Sequence, residues 1–392
     1  MTRTETVGGR LAQLRKLAGL TQAALAARAH LSISLVKQVE QGRKPASPSF
    51  TAAVARALGL SVVDLYGQPY LTAPRYATEQ ARIPELERAL MEFDQPLIER
   101  TPPRLDELQL DLDHVVDGGR RSRYAEVLER LPDLLRHLHA QSTTVPAERE
   151  RTHRMLAQGY QCAMFTAYKL GHLSLSAWAA ERVCWAGDRS GDPLWATMGR
   201  YCRAQVLMFA GSYPVGQAVL TAALDDADDL PDPDVLGVRG AIHLTSSILA
   251  ARSSKPADSD AHLAEARDLA RHVPSGDPYD HSFSRPNVDI HSVAAAVEMA
   301  DGTTALSRGR GLRPDGLYPA RVGHYHLDLA RAFLLHGDRE RALGELTIAR
   351  RIAPQQTRYH PQVRETVYAL AEADRRSMES LRNFAAWIGL RS

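Results

Sequence analysis

Ser32, Ser34, Lys37 and Gln38, with Ile33 beside them, recur at spacings that set them along one outward face of a helix. Glutamine can bond adenine with two hydrogen bonds in the major groove, lysine can donate to guanine, and a serine hydroxyl can donate or accept. A face of this kind can read base edges. A second group of reactive types lies further on, where His281, His291, His324 and His326 stand with Asp280 and Asp289 and include metal-ligating or acid–base side chains. Their spacing points elsewhere. His324 and His326 are two apart and point away from one another on a helix, no HExxH signature is present, and no glycine-rich phosphate loop follows a strand. No catalytic residue, metal or cofactor is expected, so the chain does not read as an enzyme. A narrower role stays open, in which one of these histidines senses pH or contacts an effector carboxylate. Cys162, Cys184 and Cys202 are odd in number and spaced by 22 and 18 residues, which fits neither zinc ligation nor a disulfide framework. They are expected as buried packing residues.

The base-reading face needs a scaffold, and residues 21–42 supply one. Thr21 can cap a first helix whose buried face is Ala24, Leu25 and Ala29, with Ala26 small where a second helix must cross. A short turn at His30 and Leu31 follows. Ser32 then caps a second helix with Leu35, Val36 and Val39 inward, and Gly42 stops it. The result is a helix-turn-helix, flanked by the amphipathic GRLAQLRKLAGL before it and two short helices in FTAAVARALGLSVVDLYG after it. Charge agrees with that reading. Residues 1–67 hold nine cations (Arg3, Arg10, Arg15, Lys16, Arg28, Lys37, Arg43, Lys44, Arg56) against Glu5, Glu40 and Asp64, a net of +6. The whole chain carries +2, so the other 325 residues carry −4. The phosphate-facing field belongs to the small N-terminal unit, where Arg15 is expected among the DNA-contacting cations.

Residues 10–67 match the pattern L-R-x-x-x-G-L-T-Q-x-x-L-A…S-x-S-x-V…E-x-G-x-x-P, and the segment resembles the Xre family of phage-repressor and Cro-type regulators. The resemblance implies a five-helix, lambda-repressor-like domain. It further implies that Gln22 touches a phosphate and braces the recognition helix, that Ser32, Ile33, Ser34, Lys37 and Gln38 lie over base edges, and that Arg43 and Lys44 follow the backbone. The family usually has glycine where this chain has His30; histidine is among the non-glycine types enriched in the left-handed region, so the turn can still form.

With 392 residues and 44% hydrophobic content, the chain can bury a second, larger core. Two prolines in GQPYLTAPRY mark a linker, placed at residues 68–83. Beyond it the periodicity is helical throughout, with no alternating strand, so the fold class is all-α. Residues 84–141 read as a helical connector and first repeat that could hold a dimer together. Residues 142–392 read as repeats, capped by MESLRNFAAWIGL. The clearest repeat, HYHLDLARAFLLHGDRERALGELTIARRIAP, sets Leu329, Ala330, Phe333, Ala342, Leu346 and Pro354 on the tetratricopeptide pattern, with His326 where tryptophan is usual. Weaker copies turn at Gly171, Gly211 and Gly302, and another pair over Val235–Val273 is split by RSSKPADSD, read as an insertion. About five to seven repeats are expected to stack into a superhelix whose first helices line a concave groove.

Counting back from each turn, the groove would hold Gln161, Phe165, Tyr168, Tyr201, Gln205, His243, Ser247, Ser292 and Arg331 as an effector-binding lining, or several of these would pack between helices instead. The two-part layout resembles the peptide-sensing regulators of Gram-positive bacteria, which hold the peptide backbone with asparagines; here asparagine occurs only at 287 and 383. It is more generally similar to Arg- and Ala-rich actinobacterial regulators with a C-terminal segment like ARRIAPQQTRYHP. The resulting expectation is a DNA-binding transcriptional regulator, homodimeric on a palindromic operator in double-stranded DNA, sensing a small-molecule or peptide effector. The alternative is a DNA-localised adaptor whose repeats recruit another protein. No apolar run is long enough for a membrane span and no cationic-apolar leader opens the chain, so a cytoplasmic location is expected.

Overall fold

The computed structural model describes residues 6–70, 78–95, 102–228, 230–373 and 379–390. The first five helices are α1 (Val7–Leu17), α2 (Gln22–Arg28), α3 (Ile33–Glu40), α4 (Pro48–Leu58) and α5 (Val62–Tyr66). Four of them begin on the same device. Thr6, Thr21, Ser32 and Ser47 each accept a hydrogen bond from an amide three residues on, satisfying a donor that the helix cannot, and each such cap contributes about 1 kcal/mol. Ser61 and Asp64 add a capping box at α5. Leu11, Leu25, Val36, Val54 and Leu65 fill the core. Gly8 is required where α1 crosses α3, because a Cβ there would strike the Val39 carbonyl. The turn between α2 and α3 runs through His30 at φ +54°, the left-handed geometry expected of it.

After α6 (Thr78–Glu92) come six helix pairs: α7 and α8 (Leu105–Arg120, Tyr124–Thr144), α9 and α10 (Arg149–Lys169, Leu173–Gly187), α11 and α12 (Pro193–Phe209, Tyr213–Ala227), α13 and α14 (Val235–Arg252, Pro256–Leu269), α15 and α16 (Arg285–Glu298, Gly302–Gly309), and α17 and α18 (Pro319–His336, Arg339–Ile352). Among the described residues every element is helical, and the chain is an all-α protein. α6 starts at Thr78 and carries Pro84 inside it, so helix begins earlier than the expected linker boundary; residues 71–77 lie outside the described residues.

One turn recurs in every pair. A left-handed residue (Ser122, Gly171, Gly211, Ser254, Ala300, Gly337) follows the first helix, and the next amide bonds a carbonyl five residues back at 2.8–2.9 Å. This geometry satisfies the otherwise orphaned carbonyls of the helix end. It corrects two sequence expectations. RSSKPADSD is no insertion but the ordinary turn, left-handed at Ser254, with Pro256 opening α14. The third weak repeat turns at Ala300 rather than at Gly302, which is glycine because a Cβ would press on Leu335 and the Ala332 carbonyl.

The first helices α7, α9, α11, α13, α15 and α17 each touch the next, and α17 returns to touch α7. The array closes. Arg120 seals the seam, with its Nε donating to Asp280 at 2.6 Å and its guanidinium lying 4.3 Å from the centre of the Tyr318 ring. The ring of first helices therefore surrounds a central pocket in place of the expected groove, and that pocket stays partly open. Three further helices, α19 (Pro354–Tyr359), α20 (Pro361–Ala373) and α21 (Glu379–Trp387), complete the fold. Among the described residues no helix is long and apolar enough to cross a membrane.

Candidate functional site

On the N-terminal unit, Ser32, Ile33, Ser34, Lys37 and Gln38 are all exposed along α3, and Arg43 and Lys44 are exposed just beyond it. Gln38 Nε2 donates to Ser34 Oγ at 3.2 Å, so the two side chains stand together on that face. Arg15 is placed differently from the expectation that set it among DNA-facing cations. It is buried, with Nε and Nη2 donating to the two carboxylate oxygens of Glu40 at 2.6 and 3.0 Å and Nη1 donating to the Leu20 carbonyl at 2.7 Å. Gln22 Nε2 donates to the same carboxylate at 2.6 Å. Burial pushes the Glu40 pKa up, but the Arg15 and Gln22 donors outweigh it and hold the carboxyl below its usual range. This triad ties α1 and α2 to the end of α3, and Glu40 was read in the sequence only as an anion.

The second site is a cavity of about 280 Å³ lined by the first helices of the array. Phe165, Tyr168, Tyr201, Gln205 and Arg331 line it. Gln205 Nε2 donates to Tyr201 Oη at 2.8 Å and to Thr245 Oγ1 at 2.9 Å, and Tyr168 stacks flat on Phe209. Gln161, His243, Ser247 and Ser292 take packing positions instead. Gln161 Nε2 donates to the Tyr279 carbonyl, Ser247 and Ser292 cap carbonyls in their own helices, and His243 pairs across the α13–α14 interface with His262. Of the histidines singled out for their density, His281, His291 and His324 reach the cavity wall. His281 sits against Asp277, and His326 Nδ1 lies 2.6 Å from Glu345 Oε2. Among the described residues no three histidine, cysteine or acidic side chains gather as a metal site.

Charged residues that sequence reasoning passed over, namely Arg252, Glu298, Arg321 and Asp328, join the expected Arg331 on one wall. Glu298 accepts from Arg331 Nη1 at 2.9 Å and from Arg252 Nε at 3.2 Å, and Asp328 accepts from Arg331 Nη1 at 3.3 Å. Arg321 donates to Asn287 Oδ1 at 2.9 Å and stands against His291. These positions are legible only once helix phase is known, because nothing in their local sequence distinguishes them from a solvated face.

The N-terminal unit covers this cavity. Pro48, Val62, Val63, Tyr66 and Gln68 form part of its lining. Glu365 on α20 accepts from the Val7 amide at 3.2 Å and the Ala46 amide at 3.3 Å, Gln362 Nε2 donates to Tyr66 Oη at 3.2 Å, Ser49 Oγ donates to the Arg252 carbonyl at 3.0 Å, and Gly211 is bare where Ala52 presses on it. None of these contacts uses the exposed face of α3.

Residues 6–65 match a family model described as a helix-turn-helix domain. No curated protein matches the chain. Among solved structures, the crystal structure of Bacillus thuringiensis PlcR in complex with the peptide PapR7 and DNA is similar over 68% of this chain and 95% of that one, at 12% identity and a TM-score of 0.30. Superposition that loose carries no weight for function. The domain match and the geometry above agree on one statement: this is a helix-turn-helix DNA-binding domain mounted on an all-helical repeat body, the construction of a DNA-binding regulator.

Proposed function

We propose that the chain is a sequence-specific transcriptional regulator whose repeat body, of tetratricopeptide type, binds an effector in its central cavity and alters operator binding. One observation carries this reading. The cavity is walled by the repeat helices and roofed by the DNA-binding domain itself, so an occupant would touch both. A pocket of about 280 Å³ also favours a small occupant over a recruited protein. A coupling of about 1–3 kcal/mol between effector and operator would change occupancy several-fold or more. The contacts at Glu365 are the direct route for it. In wild-type protein, cell extract containing the effector is expected to shift affinity for a selected operator duplex several-fold, and Glu365→Ala, which removes the acceptor for two amides of the DNA-binding domain, is expected to abolish the shift. A shift of wild-type size in Glu365→Ala would remove the roof from the mechanism.

The DNA face makes its own prediction. Lys37→Ala and Gln38→Ala are expected to relax base preference by about 1–3 kcal/mol per lost contact, whereas Arg43→Ala weakens all sequences alike and flattens the salt dependence. One recognition helix reads too few base pairs to find a site in a genome, so the protein is proposed to act as a homodimer held through residues 84–141, with half-sites about one helical turn apart or a multiple of it. Binding-site selection followed by footprinting checks both points; an unchanged preference in the two α3 variants, or a single unrepeated half-site, would count against the assignment.

A further inference from the structure

The charges on the cavity wall do not balance. Arg120 is matched by Asp280, and Arg252 and Arg331 share Glu298 and Asp328. Two cations are left over. Lys169, the last residue of α9, faces the cavity with no hydrogen-bond or ion-pair partner among the described residues; the Tyr168 ring centre lies 5.7 Å from its Nζ. Arg321 bonds an amide and stands against an imidazole, and the carboxylate that acts on it through space, Asp328, is the one Arg331 already holds. Next to them His324 Nδ1 is buried without a partner. Burial pushes the Lys169 pKa down to about 8, with Arg321 adding repulsion and Asp328 opposing it through space, so the ammonium is still charged at neutral pH. Burial likewise holds His291, His324 and His360 below the ordinary imidazole range, which leaves Lys169 and Arg321 as the uncompensated charge. An unpaired cation in a poorly solvated site is costly to the empty protein, and the cost is recovered when an anion enters.

We infer that the cavity binds a compact organic anion, its carboxylate, sulfonate or phosphate held by Lys169 and Arg321 and its flat apolar body laid against the Tyr168–Phe209 stack and Tyr201. A volume of about 280 Å³ is at the lower end of small-molecule sites, which suits a ligand of one or two rings and not a peptide. This rests on the effector-sensing reading above and names the ligand class for that same cavity.

The test uses a matched pair of fluorescent probes on the full chain, anionic 8-anilinonaphthalene-1-sulfonate and its uncharged counterpart N-phenyl-1-naphthylamine. The sulfonate is expected to saturate one site per chain and to bind at least tenfold more tightly than the neutral probe. Lys169→Met and Arg321→Met should each lower sulfonate affinity about tenfold and leave the neutral probe unchanged, while Lys169→Arg retains it. Lys169→Met should also raise the melting temperature of the ligand-free protein, since it deletes an unpaired charge; that readout stands even if Arg321→Met folds poorly. Equal affinity for the two probes, the absence of a saturable sulfonate site, or sulfonate binding indifferent to Lys169→Met would overturn the inference. Operator affinity measured with the sulfonate bound separates the two levels: binding through Lys169 with no change in DNA affinity keeps the ligand class and refutes the sensing.

Discussion

Glu40→Ala is expected to destabilise the DNA-binding domain by about 3–5 kcal/mol and to abolish DNA binding on every sequence, because removing one partner of a buried ion pair strands the other. The reason lies in where the charges sit. Arg15 is 8% exposed and Glu40 5% exposed, so the guanidinium stripped of its carboxylate has little access to water. Glu40 is also the last residue of α3, and its carboxylate is where the first and second helices grip the recognition helix. Losing it frees the helix that presents the base-reading face. The pattern would differ from that of Gln38→Ala, which touches only preference. Glu40→Gln should fall between, since an amide keeps the shape and one acceptor. Thermal unfolding and operator titration on the three variants check this; a Glu40→Ala protein with wild-type midpoint and wild-type affinity would show the triad to be incidental.

The same triad marks how far sequence carries. Thr21, Ser32, Gly42 and the apolar spacing between them announce two helices and a turn because capping and periodicity are local, and even the left-handed His30 was foreseeable from the pattern it interrupts. Arg15 was read as DNA-facing because its type is basic; that it folds onto Glu40, 25 residues away, depends on a crossing angle no local signal contains. The repeats divide in the same way. Gly171, Gly211 and Gly337 reveal their turns, but Ser122, Ser254 and Ala300 make the same turn with side chains that do not advertise it. Closure of the array was hidden because its seam is built from residues such as Arg120 and Asp280, 160 apart, and that one topological fact turns a groove into a cavity. Lys169 went unnoticed as an ordinary basic residue near a helix end, and only the enclosing wall makes its charge conspicuous.

The buried ion cluster at that wall should control the acid stability of the repeat body. Burial pushes the Glu298 pKa up, but Arg252 and Arg331 outweigh it and hold the group at about 2, well below the 4.5 of an ordinary glutamate. A carboxyl whose folded pKa is depressed contributes stability that is complete above its unfolded value and is lost as pH falls toward the folded one, here between about 4.5 and about 2. At roughly 1.4 kcal/mol per unit the contribution is about 3 kcal/mol. Asp328 works in the opposite direction. Burial raises its pKa to about 6 against the pull of Arg331, so the folded protein takes up a proton there first and gains stability as pH drops through about 6 toward 3.8. The melting temperature of the full chain is therefore expected to rise as pH falls through about 6, to level off near pH 4, where the two groups offset each other, and to fall below that. Glu298→Gln should lower the midpoint at pH 7, since it leaves Arg252 and Arg331 facing an uncharged amide, and it should flatten the acid limb by the share that Glu298 supplied. Because Glu298 also raises the pKa of Asp328, the difference between the two pH curves reports this coupled pair, with the Glu298 share falling below pH 4.5. If the curves run parallel below pH 4.5, Glu298 is not the carboxylate that the two arginines hold ionised, and the charge balance of the cavity wall must be redrawn.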